Sequence, residues 1–176
     1  MLNSGRFDGQ DLGGGISGVE AAVYARERDQ LNLSEVDPVN PRPLNAYAAS
    51  KAVAERRVMA ADRPGFRTVT IRPRALITPD DRVLLPRLLR VVRTGRFPLI
   101  RQGRALIEPT DARDASEALH LAYQAIETVG GQVINISGGI AKPVREMIDM
   151  LSRALGQPVR FVPLPYAPVR AAAAGL

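Results

Sequence analysis

Residues 45–61 read NAYAASKAVAERRVMAA, and residues 67–72 read RTVTIR, with Pro64-Gly65 between them. The first stretch consists mainly of good helix formers, and Asn45 is a residue type that often caps a helix start. The second alternates β-branched side chains, which is typical of a strand, and Pro73 marks its end. These residues therefore predict a helix followed by a strand.

The rest of the chain continues this alternation. The glycine-rich residues 1–18 show no helical or strand period and predict a loop or a poorly ordered terminus, and residues 34–44 hold three prolines and predict an extended surface loop. Strands are expected over 105–107, 132–137 and 159–162, and helices over 84–93, 111–128 and 143–155. The expected inward side chains of the first two helices are those of Leu85, Leu88, Leu89 and Val92, and of Ala115, Ala118, Leu119 and Ala122. Such alternation predicts an α/β fold with a partly parallel sheet.

Composition excludes several classes of protein. With 176 residues, 45% hydrophobic and 24% charged, the chain has the size and balance of one globular domain or slightly more. It contains no cysteine and one histidine, His120, so a disulfide framework, a zinc–cysteine site and a Ser-His-Asp triad are not expected. No apolar run approaches the roughly 18 residues of a membrane span, and no leader opens the chain. We therefore expect a soluble cytoplasmic protein with no metal and no membrane partner.

The basic charge is carried almost entirely by arginine. Lysine and arginine total 24 and the net charge is +6, yet only Lys51 and Lys142 are lysines. Such a charge raises nucleic acid as a partner, and Arg87, Arg90 and Arg93 recur every three residues. Aromatic residues for base stacking are almost absent from that region. We interpret the arginines as solvated faces and expect no nucleic acid, with an arginine-rich nucleic-acid-binding module as the alternative.

The spacing of Tyr47 and Lys51 is the clearest chemical signal. Residues four apart on a helix lie on one face, so the ammonium group comes beside the phenol. A free tyrosine titrates near pH ~10, and a nearby cation favours the phenolate, so such a phenol can exchange a proton with a substrate oxygen. The alternative is an ordinary helix face that carries one tyrosine and one lysine.

Several segments in order resemble the extended short-chain dehydrogenase/reductase family. They are SEVDPVNPRPLNAYAASKAVAE (34–55), IRPRALITPDD (71–81), a section over 84–125 and GGQVINISGGIAKPVREMIDMLSRALGQPV (130–159). Within that family the chain is most similar to the 3β-hydroxysteroid dehydrogenase-like and NAD-dependent epimerase/dehydratase branches. The resemblance covers nearly everything from about Tyr24 onward.

The resemblance implies a fold and an activity. The fold is the second half of an NAD(P)-binding Rossmann fold with a small C-terminal part of a substrate domain, over 19–176. The activity is hydride transfer between NAD or NADP and a secondary alcohol or ketone. Tyr47 would be the general acid/base and would also contact the cofactor, and Lys51 would lower the pKa of Tyr47 and bind the nicotinamide ribose. Pro73 and Ala75 would line the carboxamide side of the nicotinamide.

The chain departs from the family pattern at three places. Residues 13–18 spell G-x-G-x-x-G with Asp37 about twenty residues on, but no apolar strand precedes them, so a flexible glycine-rich segment is favoured over a phosphate-binding turn. The catalytic Ser/Thr position falls near Glu20, so either Ser17 shifts into place or that third group is missing. Sugar-nucleotide epimerases usually carry an arginine at a position that falls close to Ile107 in this chain. Its absence favours a less phosphorylated alcohol or ketone as the substrate.

These departures predict a truncated reductase, since the full-length family pattern is about twice as long. A chain of this kind would bind NAD(P) weakly or not at all. The alternatives are a catalytically inactive fragment and a dimerisation partner, because in the family the Tyr-x-x-x-Lys helix also packs against a second copy. The resemblance accordingly predicts a homodimer that forms through the Tyr47–Lys51 helix.

Overall fold

The computed structural model describes residues 14–18, 24, 32–43, 45–81 and 84–167. The chain divides into two compact units, Met1–Leu76 with Ala112–Ser137 and Ile77–Asp111 with Gly138–Leu176. Strands and helices of the first unit are β1 (Gly14–Gly18), α1 (Ala46–Ala60), β2 (Arg67–Pro73), α3 (Ala112–Gln124), α4 (Ile126–Val129) and β7 (Val133–Ile136). Those of the second are α2 (Leu84–Arg93), β4 (Arg96–Ile100), β5 (Leu106–Ile107), β6 (Thr110–Asp111), β8 (Lys142–Pro143), α5 (Val144–Ala154) and β9 (Arg160–Leu164), and the short β3 (Leu76–Ile77) spans the boundary.

A three-stranded parallel sheet forms the centre of the first unit. Its order is β1-β2-β7, with Ser17 opposite Thr70 and Ile71 opposite Ile134. Successive residues of β2 face opposite sides, since a strand has a period of two. Val69 and Ile71 pack in one cluster with Ala122 of α3, whereas Thr68 hydrogen-bonds to the backbone of α1. The expected α/β architecture with parallel strands is therefore confirmed.

In the second unit, β4 and β9 form a parallel pair. Phe97 lies opposite Phe161, and their rings meet edge to face with centroids 6.5 Å apart. Helix α2 packs against β4 and α5, and Val92 and Ile148 are buried. Strand β5 pairs antiparallel with β8. The apolar stripes of two amphipathic helices thus supply much of this unit's core.

Three sequence-based expectations need correction. The loop expected over Gly14–Gly18 is instead β1, because those residues pair with β2 along its length. The helix expected over 111–128 breaks at Ala125 into α3 and α4, and Leu119, expected to face inward, is 37% exposed. Strand β4 was not among the expected elements. Its Pro98 lacks an amide hydrogen, which a strand of a two-stranded pair tolerates.

The other elements lie close to where the sequence places them. Helices α1, α2 and α5 and strands β2, β5, β7 and β9 match the expected segments to within one or two residues. Gly156 follows α5 with φ +62°, the left-handed conformation usual just after a helix end. Across the described residues, no helix is both long and apolar enough to span a bilayer.

Candidate functional site

Tyr47 and Lys51 lie one turn apart near the start of α1, as the spacing predicts. The Lys51 ammonium nitrogen is 5.7 Å from the centroid of the Tyr47 ring, within the range of a cation–π contact. Tyr47 is 48% exposed, so its phenol is accessible from solvent. The pair therefore places a half-exposed phenol beside a positive charge, an arrangement in which the hydroxyl can exchange a proton.

The sequence around the pair explains why α1 begins here. The Asn45 side chain accepts a hydrogen bond from the Ala48 amide at 2.8 Å, which caps the first turn. Ala48 and Ala52 are buried, and their small side chains allow the helix to approach the sheet closely. Tyr47 and Lys51 consequently lie beside the buried stripe of the helix rather than within it.

The end of β2 carries the other two predicted cofactor-binding residues. Pro73 is buried and lies opposite Ile136, whose carbonyl accepts from the Arg74 amide at 2.9 Å. Ala75 follows, exposed and with φ +36°, in the left-handed region that an alanine rarely adopts. Both residues therefore lie at the carboxyl edge of the parallel sheet, where open α/β sheets bind ligands.

A buried ion pair joins α1 to β2 close to this edge. Nε of Arg72 donates to Oε2 of Glu55 at 2.8 Å, and Nη2 donates to Oε1 at 2.5 Å. The relative exposures of the two residues are 3% and 7%. Burial acts to lower the pKa of the Arg72 guanidinium, but the hydrogen bonds and charge of Glu55, with a contribution from Tyr24, leave this pKa raised. Arg72 therefore stays charged and paired.

Tyr24 extends this pair to a third element, β7. Its hydroxyl accepts from Arg72 Nη1 at 2.6 Å and donates to Asn135 Oδ1 of β7 at 2.8 Å. The backbone amide of Asn135 in turn donates to the Glu35 carboxylate at 2.7 Å. The partners of Arg72 were not identified from the sequence. The available signal for this ion pair was Glu55, a glutamate four residues after Lys51 on the same helix.

Ser17 is the candidate residue for the third catalytic group. Ser17 lies in β1 opposite Thr70, and its side chain, like Glu20, falls outside the described residues. The glycines of 14–18 belong to a strand rather than to a turn before a helix, so the phosphate-binding interpretation of residues 13–18 loses its support. His120 is exposed and contacts Gln124 on α3.

These residues fit one end of a nicotinamide cofactor. A half-exposed phenol beside an ammonium group on α1 and the exposed Ala75 after β2 are both features of the first unit. In the described segments no glycine-rich turn leads from a parallel strand directly into a helix start, so the same fit is not found for the pyrophosphate. Tyr47, Lys51, Pro73 and Ala75 are accordingly the residues available to hold the nicotinamide and its ribose.

Comparison with known proteins gives the chain its family. It is 35% identical over 152 residues to a 4-hydroxy-2-methyl-3-oxo-4-farnesyl-3,4-dihydroquinoline-1-oxide ketoreductase of Stigmatella aurantiaca, covering 86% of this chain and 45% of the relative. It is 31% identical to a decarboxylating sterol-4-alpha-carboxylate 3-dehydrogenase of Schizosaccharomyces pombe, covering 68% of this chain and 36% of the relative. The chain thus spans less than half the length of these two relatives.

Solved structures give the same result for the fold. The structure of RMD from Pseudomonas aeruginosa complexed with NADPH matches with a TM-score of 0.70 at 21% identity, over 85% of this chain and 54% of that one. This similarity confirms the expected fold class. The sequence pattern of the NAD dependent epimerase/dehydratase family matches residues 17–137. The chain therefore belongs to the NAD dependent epimerase/dehydratase family.

Proposed function

We propose that the protein is an NAD(P)-dependent oxidoreductase that interconverts a ketone and a secondary alcohol, with Tyr47 as the general acid/base. The observation that carries the proposal is the half-exposed Tyr47 phenol with the Lys51 ammonium 5.7 Å from its ring. Pairs of this kind supply proton transfer at a substrate oxygen. The match of residues 17–137 to an NAD-dependent family supports the same activity.

A bound nicotinamide supplies the hydride in reduction and accepts it in oxidation. Tyr47 donates its phenolic proton to the carbonyl oxygen of a ketone, or takes the hydroxyl proton of an alcohol. Lys51 stabilises the negative charge that develops on the phenol oxygen and binds the nicotinamide ribose. Pro73 and Ala75 line the nicotinamide, and Ser17 is the available residue for a hydrogen bond to the substrate oxygen.

The substrate class that we propose is an apolar ketone or secondary alcohol rather than a nucleotide sugar. The two curated relatives are named for a farnesyl-bearing ketone and for a sterol carboxylate. In addition, Ile107 of β5 is an isoleucine near the position where nucleotide-sugar enzymes usually carry an arginine. An apolar residue there offers no charge to a phosphate group.

A titration and one substitution test the proposal. NADH and NADPH are titrated calorimetrically into the protein, and ketone reduction is then followed by loss of nicotinamide absorbance. Tyr47→Phe removes the proton donor and is expected to lower kcat by about a hundredfold or more. Tyr123→Phe, an exposed tyrosine on α3, is the matched control and should keep the full rate.

A Tyr47→Phe variant with undiminished kcat would refute the role of Tyr47. Failure of the unsubstituted protein to bind either dinucleotide would favour the inactive fragment or dimerisation partner instead. Association through α1 also stays a prediction, and light scattering would test it by measuring the mass in solution.

A further inference from the structure

We propose that the buried Glu55–Arg72 pair is a positioning device that sets where α1 holds Tyr47 and Lys51 relative to the carboxyl end of β2. This inference rests on the proposed function. Glu55 lies four residues after Lys51 and eight after Tyr47 on the same helix. At a rise of about 1.5 Å per residue, the pair acts roughly 6 Å and 12 Å along the helix axis from these side chains.

The geometry of the pair restricts the helix more than a single contact does. Two roughly parallel hydrogen bonds, at 2.8 Å and 2.5 Å, join the planar guanidinium of Arg72 to the planar carboxylate of Glu55. Such bidentate pairs specify orientation as well as distance. Arg72 is the residue before Pro73, so this pair joins α1 to the strand end that is proposed to face the nicotinamide.

Tyr24 holds the other side of the guanidinium. Its hydroxyl accepts from Arg72 and donates to Asn135, while its ring packs against Ala52, the neighbour of Lys51. The arginine therefore cannot rotate away from Glu55 without also losing its hydrogen bond to Tyr24, which itself contacts β7 and the middle of α1. The network links α1, β2 and β7.

A contribution to folding stability does not by itself explain why this ion pair is buried here. Its side chains are only 3% and 9% exposed, and removing two charges from water offsets much of their attraction. Apolar residues of similar volume in such places are often equally stable or more stable. A specific geometry at the helix–strand contact is a better account of an arginine and a glutamate buried here.

A double substitution separates the two roles. Glu55→Leu combined with Arg72→Met replaces the pair by apolar side chains and leaves no buried charge. A positioning role predicts that the unfolding midpoint of this variant stays close to that of the unsubstituted protein. It also predicts that kcat falls about tenfold to a hundredfold and that KM changes less, because small displacements of reacting groups have effects of this order. Tyr24→Phe keeps the ion pair, removes the hydroxyl contacts and should lower kcat less. Undiminished kcat in the double variant would overturn the proposal.

Thr68→Val is the matched control. The Thr68 hydroxyl also joins β2 to α1, through a hydrogen bond to the Val58 carbonyl at 3.0 Å, but near the far end of the helix from Tyr47. If holding the helix on the sheet were all that mattered, this variant would lower kcat as the others do. We expect kcat to stay within about twofold of the unsubstituted value, in line with a lost bond that only affects stability.

A second measurement needs neither cofactor nor turnover. The chain has only two lysines, so ¹³C-dimethylation gives one NMR signal for Lys51 and one for Lys142, in addition to the amino terminus. Tyr24→Phe and the double variant should change the chemical shift of the Lys51 signal, whereas Thr68→Val should not. Lys142, which is paired with Glu146 in the other unit, gives the internal reference signal. An unmoved Lys51 signal in the double variant would overturn the positioning role. A protein without turnover whose Lys51 signal moves as expected would contradict only the proposed function.

Discussion

Replacing Gly103 by alanine should destabilise the second unit markedly. Gly103 has φ +70°, which costs an alanine about 1–2 kcal/mol. An added Cβ would lie 2.6 Å from Leu99 Cδ2, 2.9 Å from Arg145 Cβ and 3.2 Å from the Arg145 amide nitrogen. Leu99 is buried, so the methyl group cannot be accommodated without shifting the core, which adds about 1–3 kcal/mol. We expect a loss of about 2–5 kcal/mol in the free energy of unfolding.

Gly139→Ala is the control for the backbone part of this loss. Gly139 lies in the same unit with φ +73°, but no atom lies within 4 Å of an added Cβ. This variant should therefore show only the backbone strain, about 1–2 kcal/mol. Urea unfolding followed by circular dichroism measures both variants. Equal losses for the two would refute the steric reasoning at Gly103.

For two further substitutions near the proposed site, the structure predicts whether the free energy of unfolding falls or rises. Asn45→Ala removes the cap of α1 and should reduce the free energy of unfolding by about 1 kcal/mol, seen as a lower thermal midpoint; an unchanged midpoint would show that the bond to the Ala48 amide contributes little. Ala75→Gly removes an exposed side chain held at φ +36° and should raise stability by up to about 1 kcal/mol in urea unfolding, since relief of strain exceeds the added chain entropy. Destabilisation by Ala75→Gly would mean that the alanine methyl group makes a contact worth more than its strain.

Local sequence signals were sufficient for α1 and β2. A run of good helix formers behind Asn45 and a β-branched alternation before Pro73 each specify their own element, because the deciding contacts lie within a few residues. The spacing of Tyr47 and Lys51 places both on adjacent turns for the same reason. The site residues that the helix brings together could therefore be predicted from the sequence.

Strands β1 and β4 illustrate where local signals were insufficient. Gly14–Gly18 carries no strand pattern, and its extended conformation accompanies pairing with β2, a segment some fifty residues away. Pro98 argues against a strand by itself, but β4 pairs with β9 more than sixty residues later. A propensity measured over a few residues cannot contain a hydrogen-bonding partner that distant.

By itself, the sequence determined the alternation of helices and strands, the family resemblance and the turn-to-turn placement of Tyr47 and Lys51, since each depends on residues close in the chain. Only the tertiary structure showed that Arg72 is buried against Glu55 and that Tyr24 joins this pair to Asn135. These four residues span 112 positions of the sequence, from Tyr24 to Asn135. Their contacts follow from the parallel register of β2 with β7 and from the packing of α1, and no local pattern encodes either.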